Sequence, residues 1–178
     1  GQAISSLLIK AKAPRHIVQK VIEVTKEQPV SKTEKKFSDV SLPVEFKQLY
    51  KKENTPDYKN ALHYIINKRN LTALDILKYN IGYCDSGEYA GMIVVPSYDS
   101  DFNLNYFVGR SYYETASRKH KNPSSSKDIV GLEHLISWKH PITLVEGIYD
   151  AITVRDNAIP LFGKIVGDNI KKAILTNR

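Results

Sequence analysis

The stretch Pro141 to Ile152, reading Pro-Ile-Thr-Leu-Val-Glu-Gly-Ile-Tyr-Asp-Ala-Ile, limits what this chain can fold into more than any other. Apolar or β-branched residues run straight into an acid and a glycine, and apolar residues then recur at helical spacing at Ile148, Ala151 and Ile152. That pattern predicts a buried strand, a tight turn and a helix. In open α/β sheets the carboxyl ends of strands face the ligand crevice, so Glu146 falls where chemistry is usually done. Gly147 lets the backbone turn sharply and lets a phosphate or metal come close. Asp150 falls on the first helical turn at the same mouth. Two carboxylates so placed suit a divalent cation that handles phosphates. They equally suit a plain helix start, with Glu146 as cap and Asp150 as a first-turn acid favoured by the dipole. The residues alone leave both readings open.

Beyond this stretch, Ile159-Pro160-Leu161-Phe162-Gly163 predicts a second short strand and Asp168 to Ala173 a second helix. The resulting order βαβα implies a parallel sheet with right-handed crossovers. Residues 171–178 read as a helix end running into a further strand near Ile174, and both chain ends look cut.

Upstream the periodicity changes repeatedly. Ile4, Leu7 and Leu8 mark a short amphipathic helix, and Pro14 starts a second with the stripe Ile17, Val18, Val21 and Ile22. Residues 28–42 are polar, charged and proline-bearing, the composition of a linker. Helical spacing returns over Pro43 to Lys51 and again from Asp57, read as an N-cap, to Lys68-Arg69, where the cation complements the dipole. Asn70 suits a helix C′ position and Thr72 the cap of a third helix. From Gly91 the period becomes that of strands: Met92 to Pro96, a turn at 97–101, and Asn103 to Arg110 as the antiparallel partner. Gly131 to Ile136 is a short helical turn. The expected fold class is therefore α+β / α/β, with N-terminal helices, a mixed β-strand subdomain and then a βαβα unit.

The totals narrow the function. The chain carries 26 Lys and Arg against 19 Asp and Glu, a net charge of +7, which favours a polyanionic partner. The segment from Arg118 to Lys127 concentrates four of those cations, Arg118, Lys119, Lys121 and Lys127, in a turn-rich loop that phosphates would neutralise. A solvated surface loop is the alternative. The single cysteine, Cys84, excludes an internal disulfide and reads as a small buried hydrophobe. There is no membrane-length apolar run and no signal-peptide pattern, so an intracellular, cytoplasmic setting is expected.

Taken in order, these residues resemble the DNA primases of bacteria and their phages, whose catalytic core carries a TOPRIM domain. The resemblance rests on Arg69-Asn70-Leu71-Thr72 with Tyr79 to Tyr83, on Val95 to Asp99 with Phe107-Val108-Gly109-Arg110, on Lys119-His120-Lys121-Asn122 and Lys127, and on Val145 to Asp150 with Leu161-Phe162-Gly163. It implies residues 1–27 as the helical tail of an upstream zinc-binding domain, 28–42 as a linker, 43–140 as the N-terminal subdomain of the core and 141–178 as a partial TOPRIM subdomain. The implied reaction is DNA-templated synthesis of short RNA primers from NTPs on single-stranded DNA, assisted by Mg2+ or Mn2+. In it Glu146 and Asp150 are the catalytic and metal-binding acids, while Arg110, Lys119, Lys121, Asn122 and Lys127 hold nucleotide or DNA. Zn2+ is expected in the upstream domain and not in this chain, and a replicative helicase is an expected partner. With its metal-binding acids incomplete, the 178-residue chain is expected to be inactive alone. A non-catalytic nucleic-acid-binding or recruiting module, and another TOPRIM enzyme of nuclease or topoisomerase type, are the alternatives.

Overall fold

Alternating side chains along one hairpin set the architecture of residues 40–177, the part of the chain that the computed structural model describes. The reading of helices near the amino terminus and most of the 28–42 linker lie outside the described residues. In the hairpin, β3 (Met92–Tyr98) pairs antiparallel with β4 (Leu104–Ser111), Ile93 opposite Arg110 and Val95 opposite Val108. Ile93, Val95, Tyr106 and Val108 join the main core, whereas Val94 and Phe107 join Cys84 in a second cluster. Successive residues thus enter different cores, as the two-residue strand period requires. Burial, followed by Glu45 and Asp85, pushes the Cys84 thiol up to about 12, which keeps it protonated.

Three short strands complete this sheet in the order β1-β2-β3-β4-β5. They are β1 (Phe46–Gln48), β2 (Gly82–Cys84) and β5 (His120–Lys121), all paired antiparallel. The helical spacing expected over Pro43 to Lys51 is overturned by β1. Phe46 packs against the second cluster and pairs with Cys84, and pairing to β2 satisfies a backbone that so short a helix could not. Gly109 allows the β4–β5 approach: a Cβ there would lie 2.2 Å from the Lys121 carbonyl oxygen.

Between β1 and β2 the chain forms α1 (Pro56–His63), a π-helical turn over Tyr64–Lys68, and α2 (Ala73–Lys78). The cap of α1 is Thr55 rather than Asp57, its hydroxyl accepting from the Tyr58 N–H at 3.2 Å. Pro56, with no N–H and a fixed φ, takes the first helical position, so the residue before it must cap. Asp57 instead accepts hydrogen bonds from the hydroxyls of Tyr112 at 2.9 Å and Tyr113 at 3.0 Å. Asn70, at φ 53°, ends the helix in the left-handed region as its position suggested.

The second half runs through a 3-10 turn (Glu133–Leu135) to β6 (Thr143–Val145), α3 (Ile148–Val154), β7 (Ala158–Pro160) and α4 (Asp168–Thr176). β6 and β7 are parallel, Leu144 opposite Ile159. The strand expected to begin near Ile174 is instead the last turns of α4, where Ile174 and Ala173 pack on the cluster of Val130, Ile159 and Ile170. β6 was expected to be buried, but Thr143 is exposed and Leu144 is 38% exposed, because β7 is its sole strand partner in the described residues. The architecture is otherwise the mixed α+β arrangement read from the sequence.

The two halves share one core: Ile148, Ala151 and Ile152 of α3 belong to the same cluster as Ala61, Ile65, Ile93 and Tyr106. A buried polar clasp joins them as well. The Ser97 hydroxyl donates to Asn105 Oδ1 at 2.8 Å and accepts the Leu132 N–H at 2.9 Å, while Asn105 Nδ2 donates to the Val130 carbonyl at 3.0 Å. Asn105→Ala should cost about 1–3 kcal/mol, because it strands buried acceptors at Val130 and donors at Ser97. Urea unfolding followed by Trp138 fluorescence measures it, and an unchanged midpoint would show the clasp to be dispensable.

Candidate nucleic-acid interface around Arg69, Arg110 and the Glu146 turn

Glu146 and Gly147 make the turn from β6 into α3, and Glu146 is exposed, with no hydrogen bond or ion pair among the described residues. Asp150 uses Oδ2 to accept the Gly147 N–H at 3.0 Å. Gly147, and not Glu146, is therefore the N-cap of α3, because the first-turn acid Asp150 reaches back to its N–H, and the other Asp150 oxygen is left for a ligand. Among the described residues no group of three or more His, Cys, Asp or Glu side chains gathers at metal-binding distance. Magnesium is nonetheless commonly held by one or two carboxylates together with substrate phosphates and waters, a demand that Glu146 and Asp150 fit.

Cations converge next to this turn. Arg69 stacks over the ring of Tyr149, the second residue of α3, with its guanidinium carbon 4.4 Å from the ring centroid, and its Nε donates to the Tyr64 hydroxyl at 2.8 Å. The π-helical turn makes this reach possible. The Arg69 N–H bonds back to the Tyr64 carbonyl five residues earlier, at 3.1 Å, and one extra residue is packed into the turn. Burial raises the Tyr149 phenol well above its ordinary value, and its hydroxyl has no hydrogen-bond partner among the described residues.

Arg110, at the end of β4, hydrogen-bonds the His120 Nε2 across the β4–β5 pair. Desolvation first, then the charges of Arg110 and Arg69, lowers the His120 imidazole below its usual range. The imidazole is thereby kept neutral and able to accept from Arg110. Neither guanidinium has a carboxylate partner among the described residues, so Arg69 and Arg110 form a patch of uncompensated cations beside Tyr149, with His120 a neutral acceptor at its edge.

The remaining candidate residues divide. Lys119 is exposed, its Nζ touching the Glu114 carbonyl, and Lys127 is exposed without a polar partner among the described residues. Lys121 turns inward: its ammonium pairs with Glu88 at 2.5 Å and lies 4.6 Å from the Tyr89 ring centroid. Asn122 Oδ1 accepts the Gly109 N–H at 3.3 Å, holding the loop to β4. Arg69 was read from the sequence as a dipole-complementing cation. Its place here follows from a π-helical turn, which hydrophobic spacing does not reveal. A cavity of about 490 Å3 bordered by Leu42, Val44, Phe107 and Ser125 shares no residue with this patch.

Asp75 fixes α3 from its far end. Its Oδ2 accepts from the Thr72 N–H and hydroxyl, both at 2.8 Å, and from Arg155 Nη2 at 3.1 Å. Arg155 itself terminates α3 at φ 62°.

No known family's sequence profile matches the chain. An uncharacterised protein of Mycoplasma genitalium is 30% identical over 128 residues, covering 66% of this chain and 57% of that protein. Among solved structures, the Escherichia coli primase catalytic core superposes with a TM-score of 0.56 at 15% identity, over 69% of this chain and 54% of that one. A DnaG primase catalytic domain bound to single-stranded DNA gives 0.59 at 16%, over 70% and 53%. The RNA polymerase domain of Mycobacterium tuberculosis primase DnaG in complex with double-stranded DNA gives 0.57 at 17%, over 70% and 54%. The chain thus has the fold of a bacterial-type primase catalytic core, and spans about half the length of the proteins it matches.

The Asp75 junction is open to test by pH. Burial works against ionisation, but the Thr72 backbone and hydroxyl donors, then Arg155 and Lys78, outweigh it and hold the carboxyl below its ordinary value. A depressed folded-state value adds stability that is complete above the unfolded value of about 3.9 and is lost as pH falls through the folded value. The stability gap between wild type and Asp75→Asn, from thermal melts, should stay constant from about pH 7 to about pH 5 and close below about pH 4. A gap independent of pH would remove Asp75 ionisation from the junction.

Proposed function

We propose that this chain forms part of a DNA-templated RNA polymerase that makes short primers for DNA replication. The observation that carries the reading is Arg69 stacked on Tyr149, in the first turn of the helix that Glu146-Gly147 opens, with Arg110 close enough to act on the same phenol, on a primase-core fold. Uncompensated guanidiniums next to an unpaired carboxylate suit a substrate that brings its own phosphates and a divalent cation.

In this reading Arg110 and Arg69 hold phosphate oxygens of the incoming nucleotide or the template, each guanidinium offering a planar fork of donors. Glu146, with the free oxygen of Asp150, would hold magnesium, which when bound polarises a phosphoryl oxygen and offsets developing negative charge. The reaction joins a primer 3′-hydroxyl to the α-phosphate of a nucleoside triphosphate and releases pyrophosphate. Glu146 takes part as metal ligand or as the base that receives the hydroxyl proton. Tyr149 keeps Arg69 against α3, and Asp150 holds the turn that presents Glu146. TOPRIM membership of residues 141–178 and a phage source belong to the same proposal, as does recruitment by a helicase.

Primer synthesis on single-stranded DNA, by a chain extended to the full length of the matched primase cores, tests the reading. Magnesium-dependent RNA products should fall about a hundredfold or more with Glu146→Gln, while DNA binding is retained. Activity that survives the substitution would move the chemistry elsewhere, and DNA binding without any products would favour a recruiting module.

The loop lysines separate in a second test. Lys119→Ala should weaken single-stranded DNA binding and flatten its log–log salt dependence by about 0.7, one phosphate contact on a single strand. Lys121→Ala should leave that slope unchanged and lower the melting temperature, because its ammonium is committed to Glu88 and Tyr89. Equal slopes for Lys119→Ala and wild type would demote the loop to bare surface.

A further inference from the structure

A second concavity adjoins the cationic patch. It has a volume of about 230 Å3 and lies between α1 with its π-helical turn, which supply Asn60, His63 and Tyr64, and the segment after β4, which supplies Tyr113 and Glu114. Sites for drug-sized ligands usually run from about 300 to 1,000 Å3, so this one suits a single planar ring system.

Its walls are matched to such a ring. Tyr113 is 42% exposed, yet its position is fixed. Its hydroxyl donates to Asp57 at 3.0 Å, and its ring packs 4.7 Å from that of the buried Tyr112, which Asp57 also holds. An aromatic face held rigid while left open to solvent is the feature that lets a base stack at little cost in side-chain entropy. The polar edge is supplied by Asn60 and His63. Asn67 Nδ2 lies 3.0 Å from His63 Nδ1, and because an amide nitrogen donates, Nδ1 is the acceptor and Nε2 carries the proton. His63 therefore offers a donor, and the Asn60 amide offers both a donor and an acceptor.

The cavity also connects to the phosphate-binding patch. Tyr64 forms part of its wall and accepts from Arg69 through its hydroxyl. At the mouth the Glu114 carboxylate is paired with Lys68 at 2.8 Å, so it does not present a bare negative charge to a polyanion.

The geometry points to a nucleobase-binding site here: a base stacks on Tyr113 and meets Asn60 and His63 at its edge, while the attached phosphate reaches Arg69. This rests on the reading of the chain as a nucleic-acid polymerase and adds to it a contact with the base, where the cationic patch touches phosphate alone. A base in a single DNA strand and the base of a free nucleotide share this chemistry.

The test uses the 178-residue chain and three probes: a labelled oligothymidylate of about eight nucleotides, an abasic deoxyribose-phosphate oligomer of the same length, and AMP. Tyr113→Ala should weaken binding of at least one base-bearing probe about fivefold or more and leave the abasic oligomer unchanged, while Tyr113→Phe, which keeps the ring but gives up its bond to Asp57, should bind between Tyr113→Ala and wild type. Loss on the oligothymidylate assigns the cavity to the strand, and loss on AMP assigns it to the nucleotide. The inference is overturned if Tyr113→Ala binds all three probes as wild type does, if it weakens the abasic oligomer equally, or if wild type binds neither base-bearing probe. Base-independent binding by wild type would sink the cavity while leaving primer synthesis by the extended chain, and its dependence on Glu146, untouched.

Discussion

The amide of Asn105 ties the two halves of the described structure together. One end of it bonds Ser97 within the hairpin and the other bonds the Val130 carbonyl, while Ser97 in turn takes the Leu132 N–H. Everything downstream of Leu132 inherits its placement from these three bonds and from the apolar cluster around them. A buried polar group must be satisfied, and this one can be satisfied in a single arrangement, so it selects a register where hydrophobic packing alone would tolerate several. Asp75 performs the same service at the far end of α3, gripping Arg155 where the helix stops. Between them the two fastenings set the direction of α3, and hence where Glu146, Asp150 and Tyr149 point.

How much of the fold was legible in the sequence depended on how local each signal is. The hairpin of Met92 to Arg110 and the β6-α3-β7 run are encoded by short-range spacing and by turn residues, and they stand where they were read, apart from shifts of up to three residues at their ends. The segment around Phe46 misled, because Val44, Phe46, Leu49 and Tyr50 fit a helical spacing by chance and its strand partner lies well downstream at Gly82–Cys84. Ile174 misled for the opposite reason. Its β-branched character suggests a strand, but packing on Ile159 and Ile170 extends α4 through it.

The site was legible in part. Glu146, Gly147 and Arg110 were recognisable because a strand end, a glycine and an emerging cation are written in adjacent residues. Lys121 looks identical to Lys119 in sequence, and only the closeness of Glu88 and Tyr89 separates an ammonium held in an ion pair from an exposed one. Arg69 and Tyr149 are eighty residues apart in the chain, and nothing in either neighbourhood announces the other. Net charge of +7 favours a polyanionic partner but does not tell which cations are spent internally.

The π-helical turn over Tyr64–Lys68 also makes the cationic patch a matter of angular phase. Each residue added to or taken from an α-helix rotates every later side chain by about 100°. Removing one residue from this turn would let α1 run on as ordinary helix with almost no loss of hydrogen bonding, and would swing Arg69 around the helix axis and off the face of Tyr149. A helix that is locally better would then be a worse scaffold, and the widened turn is the mark of a backbone whose winding is set by where one guanidinium must arrive.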